Sequence, residues 1–153
     1  MAKKVFCHNT IFYQYIFMKG KLTVKSIFDN DDVIEYSTDA TVGIQNGTLF
    51  ISYSEDSESY ENTTTKIGVS KDVVSLNRFG QFPASFLFSK GQTQKGKIST
   101  LLGELDVDIN INTQKLNVEF GNGSLRVLLC YQMIIQGGAS TCTMDLTCTF
   151  GGK

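Results

Sequence analysis

The chain of 153 residues contains no tryptophan, one proline, one histidine and only 19% charged residues. Each scarcity removes something. With His8 alone, there is almost no material for a histidine-based metal site or a Ser-His-Asp triad. The four cysteines, Cys7, Cys130, Cys142 and Cys148, form no Cys-x-x-Cys pair and no zinc spacing. Fourteen bases against fifteen acids leave a net charge of -1, so nothing in bulk draws the chain to nucleic acid or to an anionic membrane. No stretch reaches the ~18 continuous apolar residues of a membrane span. At 41% hydrophobic the chain is not disordered, and its length suits one domain with a sizeable core.

What the sequence does have is glycine and alternation. Fourteen glycines, with Val, Ile, Thr, Phe and Tyr in short runs, read as strands joined by turns. From Glu104 to Asn112 the residues Leu105, Val107, Ile109 and Ile111 alternate with polar ones, followed by Leu116, Val118 and Phe120, then Leu125 to Met133, then Cys142 to Phe150. These four runs predict successive hairpins with loops at 112–115, 121–124 and 136–139, setting Ile111 opposite Leu116, Phe120 opposite Leu125 and Met133 opposite Cys142. That register sends Cys130 to the face opposite Cys142 and Cys148. The latter two, ~20 Å apart along one strand at ~3.3 Å per residue, are beyond disulfide reach. Free thiols in a reducing, cytoplasmic compartment are expected.

Earlier strands are predicted at Lys21 to Phe28, Val33 to Ile44, Thr48 to Ser54, Thr63 to Val69, Val73 to Phe79, Ala84 to Ser89 and Thr93 to Leu102, with turn residues such as Asn46-Gly47 between them. Ile98, Leu101, Leu102 and Leu105 have helical spacing, but Gly103 and the alternation that follows favour strand. About ten consecutive short strands without crossover helices predict an all-β, antiparallel up-and-down meander closed into a barrel, with a sandwich as the alternative. The domain spans 18–153. Residues 1–17 read apart from it: Lys3 and Lys4 before an aromatic run look like a signal peptide, but His8, Asn9, Thr10 and Gln14 interrupt the run and no cleavage site follows. Either Met18 is the natural start, or Ile11 to Phe17 must pack on the barrel exterior or on another subunit.

Few motifs suggest chemistry. Gly91 to Lys97 looks like a phosphate-binding loop, yet Ile98 stands where a Ser or Thr is needed and a strand follows instead of a helix. Nine acids and no base lie between Asp29 and Glu61, and a basic stretch follows; these read as solvated strand ends and loops, or as a two-signed surface that steers a partner. The better candidates are polar residues on apolar faces. Tyr53 and Glu55 share a face with Leu49 and Ile51, and Arg78 shares one with Val74 and Leu76. If those faces are interior, Glu55 and Arg78 point inward, where each needs the other, a polar network with Tyr53 or Tyr131, or a ligand. Arg78, Glu55, Tyr53 and Tyr131 are therefore the candidate ligand-binding residues, Arg78 anchoring an anionic headgroup while the barrel takes an apolar tail.

At these residues the sequence resembles the YwiB-like family of small bacterial proteins of uncharacterised function. The resemblance runs from about Met18 to Phe150 through Tyr53-Ser54-Glu55, Thr65-Lys66-Ile67, Arg78-Phe79-Gly80, Phe88 with Gly91, Thr100 with Gly103-Glu104-Leu105, and the series Gly123, Leu125, Val127, Tyr131. The family pattern carries aromatic residues around Thr100, where this chain has Ile98 and Leu102. The resemblance implies a calycin-type, lipocalin-like β-barrel in a bacterial cytoplasm and brings no catalytic residues. A binding module for a small, partly apolar, anionic ligand is the first functional reading, with no cofactor, metal, nucleic acid or membrane. The alternative is a solid barrel acting as a homodimeric interaction module, with Leu128 and Cys130 on its outer face. An enzyme would have to rely on acid/base work by Glu55 with Tyr53 and Arg78.

Overall fold

A segment that is apolar on one side only gains stability by joining others of its kind so that their apolar sides face one another. In a computed structural model that describes residues 2–7, 10–15, 17–29, 32–55, 63–80, 83–99, 106–135 and 138–151, the chain does this throughout. Its strands are β1 (Ala2–Cys7), β2 (Thr10–Tyr15), β3 (Met18–Phe28), β4 (Asp32–Gln45), β5 (Thr48–Glu55), β6 (Thr63–Val69), β7 (Val73–Gly80), β8 (Ala84–Ser89), β9 (Thr93–Ser99), β10 (Asp106–Gly121), β11 (Ser124–Ile135) and β12 (Gly138–Phe150). From β3 onward each strand pairs antiparallel with the next, and β12 returns to pair with β3, closing a ten-stranded barrel. This is the meander that the alternation predicts. β1 and β2 pair with each other, from Ala2 opposite Tyr15 to Cys7 opposite Thr10.

The first half follows the sequence closely. Asn46 and Gly47 have φ of 51° and 80°, the pair of left-handed residues whose twist suits a two-residue hairpin. Phe17 lies on the barrel exterior over Gly43, where any Cβ would meet its ring at 2.8 Å, so this glycine makes room for the aromatic that precedes the barrel. Residues 100–105, which hold most of the helically spaced set, fall outside the described chain; Ile98 is in β9.

Two parts of the predicted register are corrected. The runs 104–112 and 115–120 are not two strands around a hairpin: β10 passes straight through, with a bulge where Thr113 faces Tyr131, Lys115 faces Cys130 and Gln114 is the extra residue. One extra residue switches side-chain parity, so Ile109 and Ile111 before it and Leu116 after it all point inward. A hairpin and a bulge leave the same switch in sequence. The bulge prevails because the kinked backbone is used: Thr113 donates its N–H to the Gln92 carbonyl (3.0 Å), accepts from Gly91 N–H on its own carbonyl (2.9 Å), and accepts from Ser89 N–H on its hydroxyl (3.2 Å). The buried Thr113 thereby ties down the β8–β9 hairpin. Phe120 does face Leu125.

The second correction lies between β11 and β12, where Tyr131, not Met133, faces Cys142, with Leu129 opposite Met144 and Val127 opposite Leu146. The turn is two residues tighter than predicted, and the ladder gains pairs out to Ile135 opposite Gly138. A slip of two preserves every face. Hence Cys142 and Cys148 are buried and Cys130 is half-buried on the outer side, all three free thiols.

The two ends of the barrel differ. At one, the turns 46–47, 70–72, 90–92 and 122–123 are short; at the other, here the mouth, lie the connections 29–31, 56–62, 81–83, 100–105 and 136–137. Toward the short-turn end Leu22, Val42, Ile51, Val69, Ile111 and Cys148 are 0% exposed. A side chain beside a water-sized void keeps accessible surface on that side, so this half of the interior is solid. Among the described residues no helix is long and apolar enough to cross a membrane. The charged side chains of Lys21, Asp39, Arg126 and Asp145 face outward in ion pairs while the interior is apolar, the reverse of the arrangement in a membrane barrel.

Candidate functional site

Toward the mouth the inward face turns polar. Tyr53, Thr65, Arg78, Ala84 and Ile98 stand opposite one another in a single row across β5, β6, β7, β8 and β9. Directly opposed residues share a face, so Arg78 points inward with the buried Tyr53 and Thr65, as the sequence predicts. At ~4.8 Å between strands, Arg78 and Tyr53 are ~10 Å apart at the backbone, within the combined reach of their side chains. Arg78 is half-buried with its Nε fully enclosed. Glu55 ends β5 opposite Thr63, one step nearer the mouth; its side chain lies outside the described residues. Thr63 and Thr65 add buried hydroxyls to this wall, and the partly exposed Phe28, Phe86, Ile98, Met133 and Ile135 give the mouth an apolar lining.

Tyr36 was not singled out by the sequence. Its hydroxyl is 2.7 Å from that of Tyr53, with the rings 6.1 Å apart. The signal was there in its parity with Ala40 and Val42. The pair bridges a split in the wall: β4 pairs with β5 only from Thr41 opposite Ser52 toward the Asn46-Gly47 turn, whereas β5 stays with β6 out to Glu55 and β4 stays with β3 out to Asp32. A cleft of about 720 Å³ opens there, with Thr38, Ala40, Ser52 and Tyr53 in its lining.

Tyr131 belongs to another wall. It stands on β11 opposite Thr113 and Cys142, its ring 4.7 Å from that of Phe88. Burial pushes its phenol far above the ordinary range, and the neighbouring Cys142 acts in the same direction, so the hydroxyl is a neutral group at any working pH. Burial also raises Cys142, and lifts Cys148 to about 11 from 9.0. All three are acids whose neutral form the fold prefers. The thiols' contribution to stability is complete below their unfolded pKa near 9 and is lost as pH rises, for Cys148 through about 11; that of Tyr131 starts from an ordinary value of 10.0 and is lost at higher pH still. Urea denaturation is expected to give constant stability up to about pH 8 and a decline between about pH 9 and 11. Cys148→Ala should make that decline shallower; an unchanged slope would show that the buried thiol is not its source.

The site thus offers one guanidinium, neutral hydroxyls and an apolar rim, which suits holding an anionic or hydroxylated group. Among the described residues no three or more His, Cys, Asp or Glu gather as metal ligands.

A family model described as a domain of unknown function, DUF1934, matches residues 20–146. The chain belongs to the DUF1934 family. A solved structure similar to this DUF1934 chain is the crystal structure of the ywiB protein from Bacillus subtilis, at 21% sequence identity, TM-score 0.77, and coverage of 89% of this chain and 94% of that one. At that identity the likeness speaks for a shared barrel. No curated protein matches the chain.

Proposed function

We propose that this DUF1934 protein is a lipocalin-like binding module that holds a small, partly apolar, anionic ligand at the barrel mouth. The observation that carries this reading is the inward-facing Arg78 in a row with Tyr53 and Thr65, above an interior whose buried side chains are mostly apolar. Covering a cation with an apolar ligand strips its hydration without replacement, whereas an acidic head pairs with it. The solid short-turn half limits the depth, so the tail is short and lies against Phe28, Phe86 and Ile98 while the head meets Arg78. The free thiols Cys130, Cys142 and Cys148 support a reducing, cytoplasmic setting.

Octanoate or octyl phosphate at ten times Kd is expected to raise the melting temperature by ~3–5 °C. Arg78→Ala, compared with its own ligand-free baseline, should lose that rise. Equal stabilisation of both proteins would remove Arg78 as the anchor. Mass spectrometry of small molecules released on heating the purified protein identifies the natural ligand.

The second reading, a solid barrel acting as a homodimeric interaction module, is favoured by the filled half of the interior and by the exposed Leu128 on the outer face. It calls for a dimer in light scattering that Leu128→Glu splits, with nothing released on heating.

A further inference from the structure

The outer face carries a ladder of alternating charge. Arg126 on β11 makes a two-point bridge to Asp145 on β12, its Nε donating at 3.3 Å and its Nη2 at 3.1 Å. Asp145 stands opposite Lys25 of β3, and Lys25 opposite Glu35 of β4. Four residues along, Lys21 stands opposite Asp39, with Nζ 3.2 Å from Oδ1. The ladder ends there, on two carboxylates. Because β4 meets β5 only from Thr41 onward, no described strand pairs with β4 between Asp32 and Ala40 on the side away from β3. Backbone N–H and C=O groups directed to that side are a template for another strand. Next to them, on the inward face, Ile34 is 55% exposed and Tyr36 36%.

We propose that the β4 edge from Asp32 to Ala40 receives an extended segment of a partner protein as an added strand. On one face the segment carries Lys or Arg residues four apart, set against Glu35 and Asp39. On the other it carries aliphatic residues, set against Ile34 and Tyr36. Main-chain hydrogen bonds hold the strand; the carboxylates choose its register and continue the charge alternation that β12, β3 and β4 already follow. A second copy of this chain does not continue the charge alternation, since its own β4 edge offers carboxylates in place of Lys or Arg. Two β4 edges paired about Ser37 would set Glu35 of each against Asp39 of the other, and opposed like charges destabilise a sheet.

The test uses the full chain, isotope-labelled for amide spectra, and the peptide Ac-Thr-Val-Lys-Val-Thr-Val-Lys-Val-Thr-NH2. Two further peptides serve as controls: one with Glu in place of both Lys, and one N-methylated at alternate residues so that one of its edges donates no hydrogen bonds. The Lys peptide is expected to bind at least about tenfold more tightly than the Glu peptide and to protect those β4 amides between Asp32 and Ala40 that do not bond to β3. N-methylation should abolish binding, and the double variant Glu35→Lys, Asp39→Lys should prefer the Glu peptide. The proposal is overturned by equal affinity for the Lys and Glu peptides, by no binding, or by undiminished binding of the N-methylated peptide. Protection of those amides before any peptide is added would overturn it too, since the chain would then already cover its own edge.

Discussion

Deleting Gln114 is expected to leave the chain without a folded barrel. Without the extra residue β10 has one parity from end to end, so either Ile109 and Ile111 or Leu116 and its companion Val118 must turn outward. Each large aliphatic side chain brought into water forfeits ~2–3 kcal/mol. Thr113 would also lose its hydrogen bonds to Ser89, Gly91 and Gln92, at ~1 kcal/mol or more each. The sum is comparable to the ~5–15 kcal/mol that holds a typical domain together. Circular dichroism and amide chemical-shift dispersion read the outcome directly. Gln114→Ala, which keeps the backbone count and removes only an exposed side chain that accepts from the Cys130 thiol, is expected to change stability by less than ~1 kcal/mol. A deletion variant that melts like the parent would show that the kink is dispensable and the parity argument unsound.

Phe88→Ala is expected to destabilise the protein by ~3–5 kcal/mol, the largest effect of any single truncation in the core. The ring is 2% exposed and touches two others, Tyr131 with centroids at 4.7 Å and Phe86 at 6.3 Å. It fills the space between β8 and β11 where no β9 pairing intervenes, since β8 and β9 pair only through Ala84 and Ser85. Truncation leaves a cavity that a closed sheet cannot collapse to fill, and strips packing from the buried Tyr131. Urea denaturation should show it, with a melting temperature lower by roughly 10 °C for a domain of this size. Leu87→Ala, one residue away on the opposite face and only half-buried, serves as the comparison and should lose far less. Equal losses at the two positions would mean that Phe88 is not a keystone of the interior.

Parity along a strand is local information, and where it sufficed the sequence was readable. The strands Thr63–Val69 and Ala84–Ser89 lie where alternation puts them, and the inward direction of Tyr53 and Arg78 follows from Leu49, Ile51, Val74 and Leu76. Tyr36 escaped because Val33 and Ile34 are adjacent apolar residues, which blur the face of β4 at its mouth end; both turn out to be exposed. Tyr131 illustrates a different limit. Alternation says that it points inward but not where around the barrel it does so, and it sits with Phe88 and Cys142 in place of the Tyr53 row. The bulge at Gln114 marks a third limit, since its value lies in bonds to Ser89, Gly91 and Gln92, residues distant in sequence.

The closure of the barrel through β3 and β12 also bears on how the protein is made. β3 can pair with β4 as soon as both have left the ribosome, but its other edge must wait for the last strand. At roughly 5–20 residues per second that wait is on the order of ten seconds, and during it a nascent β-sheet presents an open side to every neighbouring chain. Lys19, Lys21 and Lys25 recur along this strand and project from one face of it. Positive charges on a waiting edge discourage pairing with the wrong chain, and Lys21 and Lys25, which in the finished barrel stand opposite Asp39, Glu35 and Asp145, keep the strand charged until β12 arrives.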